Sequence, residues 1–343
     1  MALRPALPRR AGRRTNLALL GLLLLAFVTG VLAYGFGTPT AATVVVAIHG
    51  AAGLGLLLLI PWKAVIVRRS WPHAERTRAL PTALGVLVAI TLLTGFLHAI
   101  GVAPLSMLLF HVAFAVCVVP LLLVHAWGRR QRPRRTDLSR RTLLKAGGLA
   151  AGAAALWAAG EGALRLTGAP GADRRGTGSL EHGTDDPTAM PVTQWFTDSV
   201  PTRIGEAITV VVGDQQARIP ISDLDRGDRV RAVLDCTGGW YAAQDWAGIH
   251  LDRLLSEVTG KDLPDDGSID VISRTGYRRR LPLRDASSLL LATSAAGRPL
   301  SDGHGAPARL VAPGRRGFWW VKWVARIEVV DAPWWRQPPF PLQ

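Results

Sequence analysis

The sequence predicts an N-terminal all-α membrane bundle, of four spans plus a fifth anchoring span, joined to a C-terminal α+β, β-rich domain. Three observations predict this. Long apolar runs fill roughly the first 165 residues, short strand-like runs fill the rest, and the basic charge respects the same divide. Of a net charge of +15, residues 1–170 carry 19 Lys/Arg against 3 Asp/Glu, whereas residues 171–343 carry 21 against 22. An excess confined to the segments between apolar runs is a topology signal and points away from a nucleic-acid surface. There are two cysteines, and Cys117 lies inside an apolar run, which argues against a disulfide framework.

Crossing a bilayer takes about 20 apolar residues. Leu17–Phe36, Ala42–Ile60, Ala79–Ile100, Leu105–Trp127 and Ala146–Gly160 reach or approach that length. Arg4, Arg9, Arg10, Arg13 and Arg14 precede the first run, and Lys63, Arg68, Arg69, Arg76 and Arg78 separate the second and third. Arg129, Arg130, Arg132, Arg134, Arg135, Arg140, Arg141 and Lys145 separate the fourth and fifth, while the connections at 37–41 and 101–104 are uncharged. Every loop then obeys the positive-inside rule with the N-terminus cytoplasmic and the C-terminal domain outside. With four more runs behind it, the first reads as a span and not a cleaved signal.

The fifth run opens with Ser139-Arg140-Arg141-Thr142-Leu143-Leu144-Lys145 and continues Gly/Ala-rich. This resembles an internal twin-arginine export signal. The resemblance implies a bacterial cytoplasmic membrane, the twin-arginine translocase as an assembly partner, and an exported domain that folds around a cofactor before crossing.

Ionisable side chains at membrane depth are functional candidates. His49 and His111 each sit about seven residues from the outer end of their spans, a matched depth of about 10 Å. Two histidines so placed suit an axial pair for haem b. His125 follows His111 by fourteen residues, about 21 Å along the same face, which suits a second haem; only His73 lies at a fitting depth to pair with it. His98, at an outer edge, is an alternative ligand or part of a quinone site. Histidines that only hydrogen-bond between helices are the competing reading. The four spans resemble the cytochrome b type of four-helix electron carrier in arrangement.

Residues 171–190 are polar, rich in Gly, Asp and Thr, and read as a linker. Beyond them, strands are expected at Ala207–Val212, Arg229–Cys236, Ile269–Ser273, Ser288–Thr293, Ala308–Ala312 and Trp320–Val330. Leu251, Leu254, Leu255 and Val258 predict one helix. Asp235-Cys236-Thr237-Gly238-Gly239-Trp240 places the domain's one cysteine at a strand end on a glycine turn. There a thiolate is held rigidly and a bulky ligand can approach the backbone; the competing reading is a buried structural cysteine. The Arg278-Arg279-Arg280 run reads as a solvated strand end.

Cys236 with Gly239-Trp240, then Trp246-Ala247-Gly248-Ile249-His250-Leu251, resembles the cofactor-binding core of the sulfite-oxidase family of molybdenum enzymes. Ser273-Arg274-Thr275-Gly276-Tyr277, the stretch from His304 to Gly314, and Gly317-Phe318-Trp319-Trp320-Val321-Lys322-Trp323 agree with it in order. The match runs from about Gln194 to Asp331. It implies Cys236 as the protein ligand of molybdenum and a molybdopterin held by His304, Arg309, Lys322 and the backbone N–H groups of Gly317, Phe318 and Trp319. Tyr277, with Trp240 and Trp246, would border the substrate, though packing is the plainer role for both tryptophans. The small haem domain and the dimerisation domain of animal-type sulfite oxidases find no counterpart before the Trp334-Trp335 and proline-rich tail. In architecture the chain is nearer to the bacterial periplasmic methionine-sulfoxide reductase type, with its haem b membrane partner fused on.

The expected organisation is a basic tail (1–15), the four-span domain (16–128), the basic loop with export signal and fifth span (129–170), linker (171–190), molybdopterin domain (191–331) and tail (332–343). The expected function is oxo transfer at an extracytoplasmic molybdenum site, on a small oxyanion or sulfoxide-type substrate, with electrons exchanged through haem b and the quinone pool. A membrane sensor with a degenerate molybdopterin fold and a haem-only transmembrane reductase are the alternatives.

Overall fold

A computed structural model describes residues 11–35, 39–73, 78–102, 104–128, 134, 137, 139–194, 198–202, 205–261 and 266–338. Apart from residues 35–38, two compact units divide the chain after Gly178. Arg4, Arg9, Arg10, Arg76, Arg129, Arg130, Arg132, Arg135 and the His73 side chain, all named above, lie outside the described residues.

The first unit holds helices α1 (Arg13–Gly35), α2 (Pro39–Leu58), α3 (Ile60–Ser70), α4 (Ala79–Ala99), α5 (Ser106–Trp127) and α6 (Arg140–Thr167). All but α3 are long and apolar enough to cross a membrane. Few of their large apolar side chains are buried, Leu56, Leu84 and Val118 among them. Helix α3, in the loop expected to be cytoplasmic, was not anticipated. Pro61 in its first turn and Arg68 and Arg69 in its last suit a short helix. Helix α6 outruns its apolar window at both ends because Ala, Leu, Arg and Lys all favour helix. It stops at Gly168, which takes the left-handed φ of +62°.

Where a linker is expected, the chain is held. Gly171 N–H donates to Ile100 O at 3.1 Å, His98 Nε2 lies 3.1 Å from Gly178 O, and Arg174 pairs with Glu161. Leu180–Glu181 then forms β1, a strand of the second unit.

That unit is built from two sheets. The strands are β2 (Ala207–Val212), β3 (Gln215–Pro220), β4 (Asp228–Asp235), β5 (Trp240–His250), β6 (Ser268–Ser273), β7 (Arg278–Pro282), β8 (Leu290–Ala295), β9 (Arg298–Pro299), β10 (Arg309–Val311) and β11 (Val324–Val330). One sheet runs β1-β5-β8-β10, with β4 on β5 and β9 on β8; the other runs β3-β2-β11-β6-β7. Within the second, β2 and β11 are parallel and the remaining pairs antiparallel. Helix α7 (Leu251–Thr259) buries Leu251, Leu254 and Leu255, as its spacing predicts. Each such leucine contributes about 1.5–3 kcal/mol of apolar burial.

Strand β5 positions the site. Trp240, Ala242, Gln244 and Trp246 alternate inward and are buried. At Gly248 the register with β8 shifts, and a Cβ there would lie 2.0 Å from Leu291 O, so only glycine allows the two backbones to meet.

The basic run 278–280 is a correction. Strand alternation turns Arg279 inward, 2% exposed, with its guanidinium 4.2 Å from the Trp319 ring centroid. Arg280 forms a two-pronged pair with Asp270, both contacts at 2.8 Å. Of the three, Arg278 alone is exposed.

Candidate functional site

Strands β4 and β5 form a hairpin, and Cys236 opens its turn. Cys236 N–H donates to Trp240 O at 2.8 Å and Gly239 N–H to Cys236 O at 3.1 Å. Gly239 supplies the left-handed φ of +88° that closes the turn. Gly317 lets a second loop approach, since a Cβ there would lie 3.0 Å from Cys236 Cα.

Two further contacts fix this corner, and sequence reasoning missed both. Arg316 pairs with Asp235 and reaches Ser179 Oγ at 3.3 Å and Cys236 O at 3.4 Å. Thr193 Oγ1 lies 3.0 Å from Cys236 Sγ, and Gly238 N–H donates to the same sulfur at 3.4 Å. Thr193 lies in a segment without periodicity, so nothing in the sequence marks it.

His304, Arg309 and Lys322 converge near the thiol. Gly305, at φ +107°, makes this possible: a Cβ there would lie 3.1 Å from the Cβ atoms of both Arg309 and Lys322. Arg309 is 1% exposed, donates to His304 O at 3.0 Å, and sits 5.1 Å and 5.6 Å from the ring centroids of Trp246 and Trp320. Burial holds Arg309 down to about 10, opposed by the Cys236 thiolate. Burial, then the nearby Arg309 charge, holds Lys322 down to about 8. Burial, then Arg309 and Lys322, pushes His304 down to about 4. Cations gathered in a dry place call for an anion.

Other expected site residues are placed differently. The Trp319 N–H is taken by Arg316 O at 2.9 Å, so it does not face an anion, and its ring packs between Arg279 and Arg315. Tyr277 is buried and its hydroxyl donates to Phe318 O, bracing the Gly317–Trp319 turn. Trp240 and Trp246 are core residues; Trp246 Nε1 donates to Ala232 O at 3.1 Å.

The fit to molybdopterin rests on three observations. Cys236 offers a half-buried sulfur on a glycine turn. Arg309 Nε is buried without a hydrogen-bond partner among the described residues. The three convergent nitrogen groups suit a phosphate. A thiol corner beside buried cations on a two-sheet α+β scaffold offers a sulfur ligand and an anion site side by side. Residues 208–337 match the family described as the oxidoreductase molybdopterin binding domain, so this stretch of the sheet-rich unit is a molybdopterin-binding oxidoreductase domain. Among solved structures, the chain is similar to the crystal structure of the sulfane dehydrogenase SoxCD from Paracoccus pantotrophus. That likeness is 23% identity over 41% of this chain and 40% of that one, with a TM-score of 0.34, so the chain spans well under half of that protein's length.

In the helical unit, His49 on α2 and His111 on α5 meet with ring centroids 5.9 Å apart and planes at 89°. His49 Nδ1 lies 2.8 Å from Ala26 O, and His111 Nδ1 lies 2.9 Å from Thr91 O. Gly30 and Gly95 make room: a Cβ would stand 3.2 Å from the His49 ring and 2.7 Å from the His111 ring. His98 differs, because its Nε2 faces Gly178 O. His125 lies on α5 near its end and is half-buried.

Proposed function

We propose that this protein is a membrane-anchored molybdenum oxidoreductase whose helical unit carries haem b and exchanges electrons with the quinone pool. The carrying observation is the convergence of His304, Arg309 and Lys322 beside Cys236, within a domain of the molybdopterin-binding family. Cys236 would give the metal its protein thiolate. Arg309 and Lys322, with uncharged His304, would hold the cofactor's phosphate and have their charges compensated by it. When bound, the molybdenum cofactor supplies two-electron oxo transfer to or from a small oxyanion or sulfoxide-type substrate.

For haem b, His49 and His111 are the ligands the geometry favours. Each has Nδ1 on a backbone carbonyl, the arrangement that orients an imidazole and leaves Nε2 to face a metal. His98 is the poorer ligand on the same ground. His125, at the opposite end of α5 from His111, would serve a second haem. The charge asymmetry supports a cytoplasmic N-terminus and an extracytoplasmic catalytic domain. Arg140 and Arg141, in the first turn of α6, would direct the folded domain to the twin-arginine translocase.

Metal analysis and an optical spectrum on detergent-purified protein test this, alongside Cys236→Ser. About one molybdenum per chain, lost in the variant, with reducible haem b bands in both proteins, is the expected result. Haem without molybdenum in protein from cells that make the cofactor would overturn the catalytic assignment. Molybdenum without haem would overturn the electron-transfer half.

A further inference from the structure

Resting on the molybdenum reading above, we infer that Thr193 is a positioning residue that tunes the metal's cysteine ligand. Its hydroxyl donates to Cys236 Sγ, and Lys322 holds it in place. The Oγ1 to Sγ distance is 3.0 Å, shorter than the 3.4 Å from the Gly238 N–H to the same sulfur.

Thr193 belongs to no strand or helix, yet it is pinned from three sides. Lys322 Nζ donates to Thr193 O at 3.0 Å and to Gly303 O at 2.7 Å, tying the segment to the His304 turn. Val192 lies over Gly303, where a Cβ would stand 2.7 Å from Val192 Cγ2. The Thr193 methyl packs on Gly238, where a Cβ would stand 3.1 Å from Cγ2. A β-branched side chain with its methyl so placed has little rotamer freedom, and the hydroxyl is the branch turned to sulfur. Lys322 therefore does two things at once: it brings positive charge to the site and spends two of its three N–H donors on fixing the strap that carries Thr193.

A metal-bound thiolate is an acceptor, so the shared proton stays on Thr193. A hydrogen bond to ligating sulfur draws charge from it and favours the reduced, more electron-rich state of the centre. Thr193 acts here through Cys236 and needs no contact with substrate.

The test uses full-length wild type, Thr193→Val and Thr193→Ser, purified in detergent from cells that make the cofactor. It reads molybdenum per chain and the midpoint of the one-electron Mo(VI)/Mo(V) couple by EPR-monitored titration. Valine keeps the packing and removes the donor; serine keeps the donor and removes the methyl. Thr193→Val should hold wild-type molybdenum with a lowered midpoint, on the order of a tenfold change in the one-electron equilibrium, or about 59 mV. Thr193→Ser should stay at the wild-type value.

An unchanged midpoint in Thr193→Val overturns the inference and leaves the molybdenum reading intact. So does an equal shift in Thr193→Ser, which would make packing the cause. Loss of molybdenum from both Thr193→Val and Thr193→Ser would make the residue a structural strut, also against the inference. A wild type without molybdenum overturns the underlying reading, and this inference with it.

Discussion

Arg316 and Asp235 form a buried ion pair beside the candidate metal ligand. Their side chains are 3% and 4% exposed, Ser179 Oγ donates to Asp235 at 2.7 Å, and the other arm of Arg316 reaches Cys236 O at 3.4 Å. The pair joins the hairpin turn to the loop that follows β10, and it draws in the residue just ahead of β1.

Removing one partner of such a pair strands the other charge in the interior. Asp235→Asn should lower stability by about 3–5 kcal/mol. Replacing both residues, as Asp235→Leu with Arg316→Met, should recover part of that loss, because two apolar groups leave no unpaired charge. Urea titration of the full chain, following emission from the buried Trp240, Trp246 and Trp323, checks the order of the three proteins. A single variant as stable as wild type would contradict the account.

Gly248→Ala is the second prediction. The added methyl would meet the backbone of β8 at Leu291, which cannot move aside as a flexible side chain can. A cost of about 1–3 kcal/mol is expected from this overpacking. Gly260→Ala is a control with open space around it, though its φ of +64° adds a backbone penalty of its own. Thermal midpoints should fall further for Gly248→Ala.

The third concerns pH in the cofactor-free protein. Burial and two neighbouring cations hold His304 at about 4, below the ordinary 6.5. Between those values the unfolded chain binds the proton and the folded chain does not. The contribution is therefore fully present above pH 6.5 and is lost as pH falls toward 4. Melting curves from pH 7 to about 4 should slope less steeply for His304→Gln than for wild type. Equal slopes would remove His304 from the account.

A fourth prediction leaves the membrane histidines untouched. Gly95→Val places carbon where the His111 ring lies, and Gly30→Val does the same beside His49. If these rings ligate haem, both variants should lose haem b absorbance, and so should His111→Ala. Gly85→Val, in open space on the same helix as Gly95, should keep it.

Pattern made the five long apolar helices, α7 and strands β2, β4 and β6 legible to within a few residues, because each carries a sustained apolar run or buries a regular face. It failed at β5, where Trp240, Gln244 and Gly248 obscure an eleven-residue strand whose inward face mixes aromatic, amide and bare backbone. It failed at Arg279 for a related reason: charge dominated the reading, while strand alternation and the Trp319 ring decided the burial. In the site, Cys236, His304, Arg309 and Lys322 could be picked out because motif and chemistry coincide. Thr193, Ser179 and Arg316 could not, since each gains its role from a contact more than forty residues away. Gly30 and Gly95 could not be told apart in the sequence from Gly21 and Gly85 on the same helices, which have open space around them.

Gln337 has a consequence for the edge of its sheet. Its amide accepts from Arg280 N–H at 3.0 Å and donates to Arg280 O at 2.7 Å. Strand β7 is the outermost strand of its sheet, and an outermost strand is a template on which another chain can add itself. One side chain here imitates the pairing that a sixth strand would make, and Arg279 adds a bond to Pro338 O at 3.1 Å. The last turn of the described chain thus occupies the N–H and C=O of Arg280 in the middle of that outer strand.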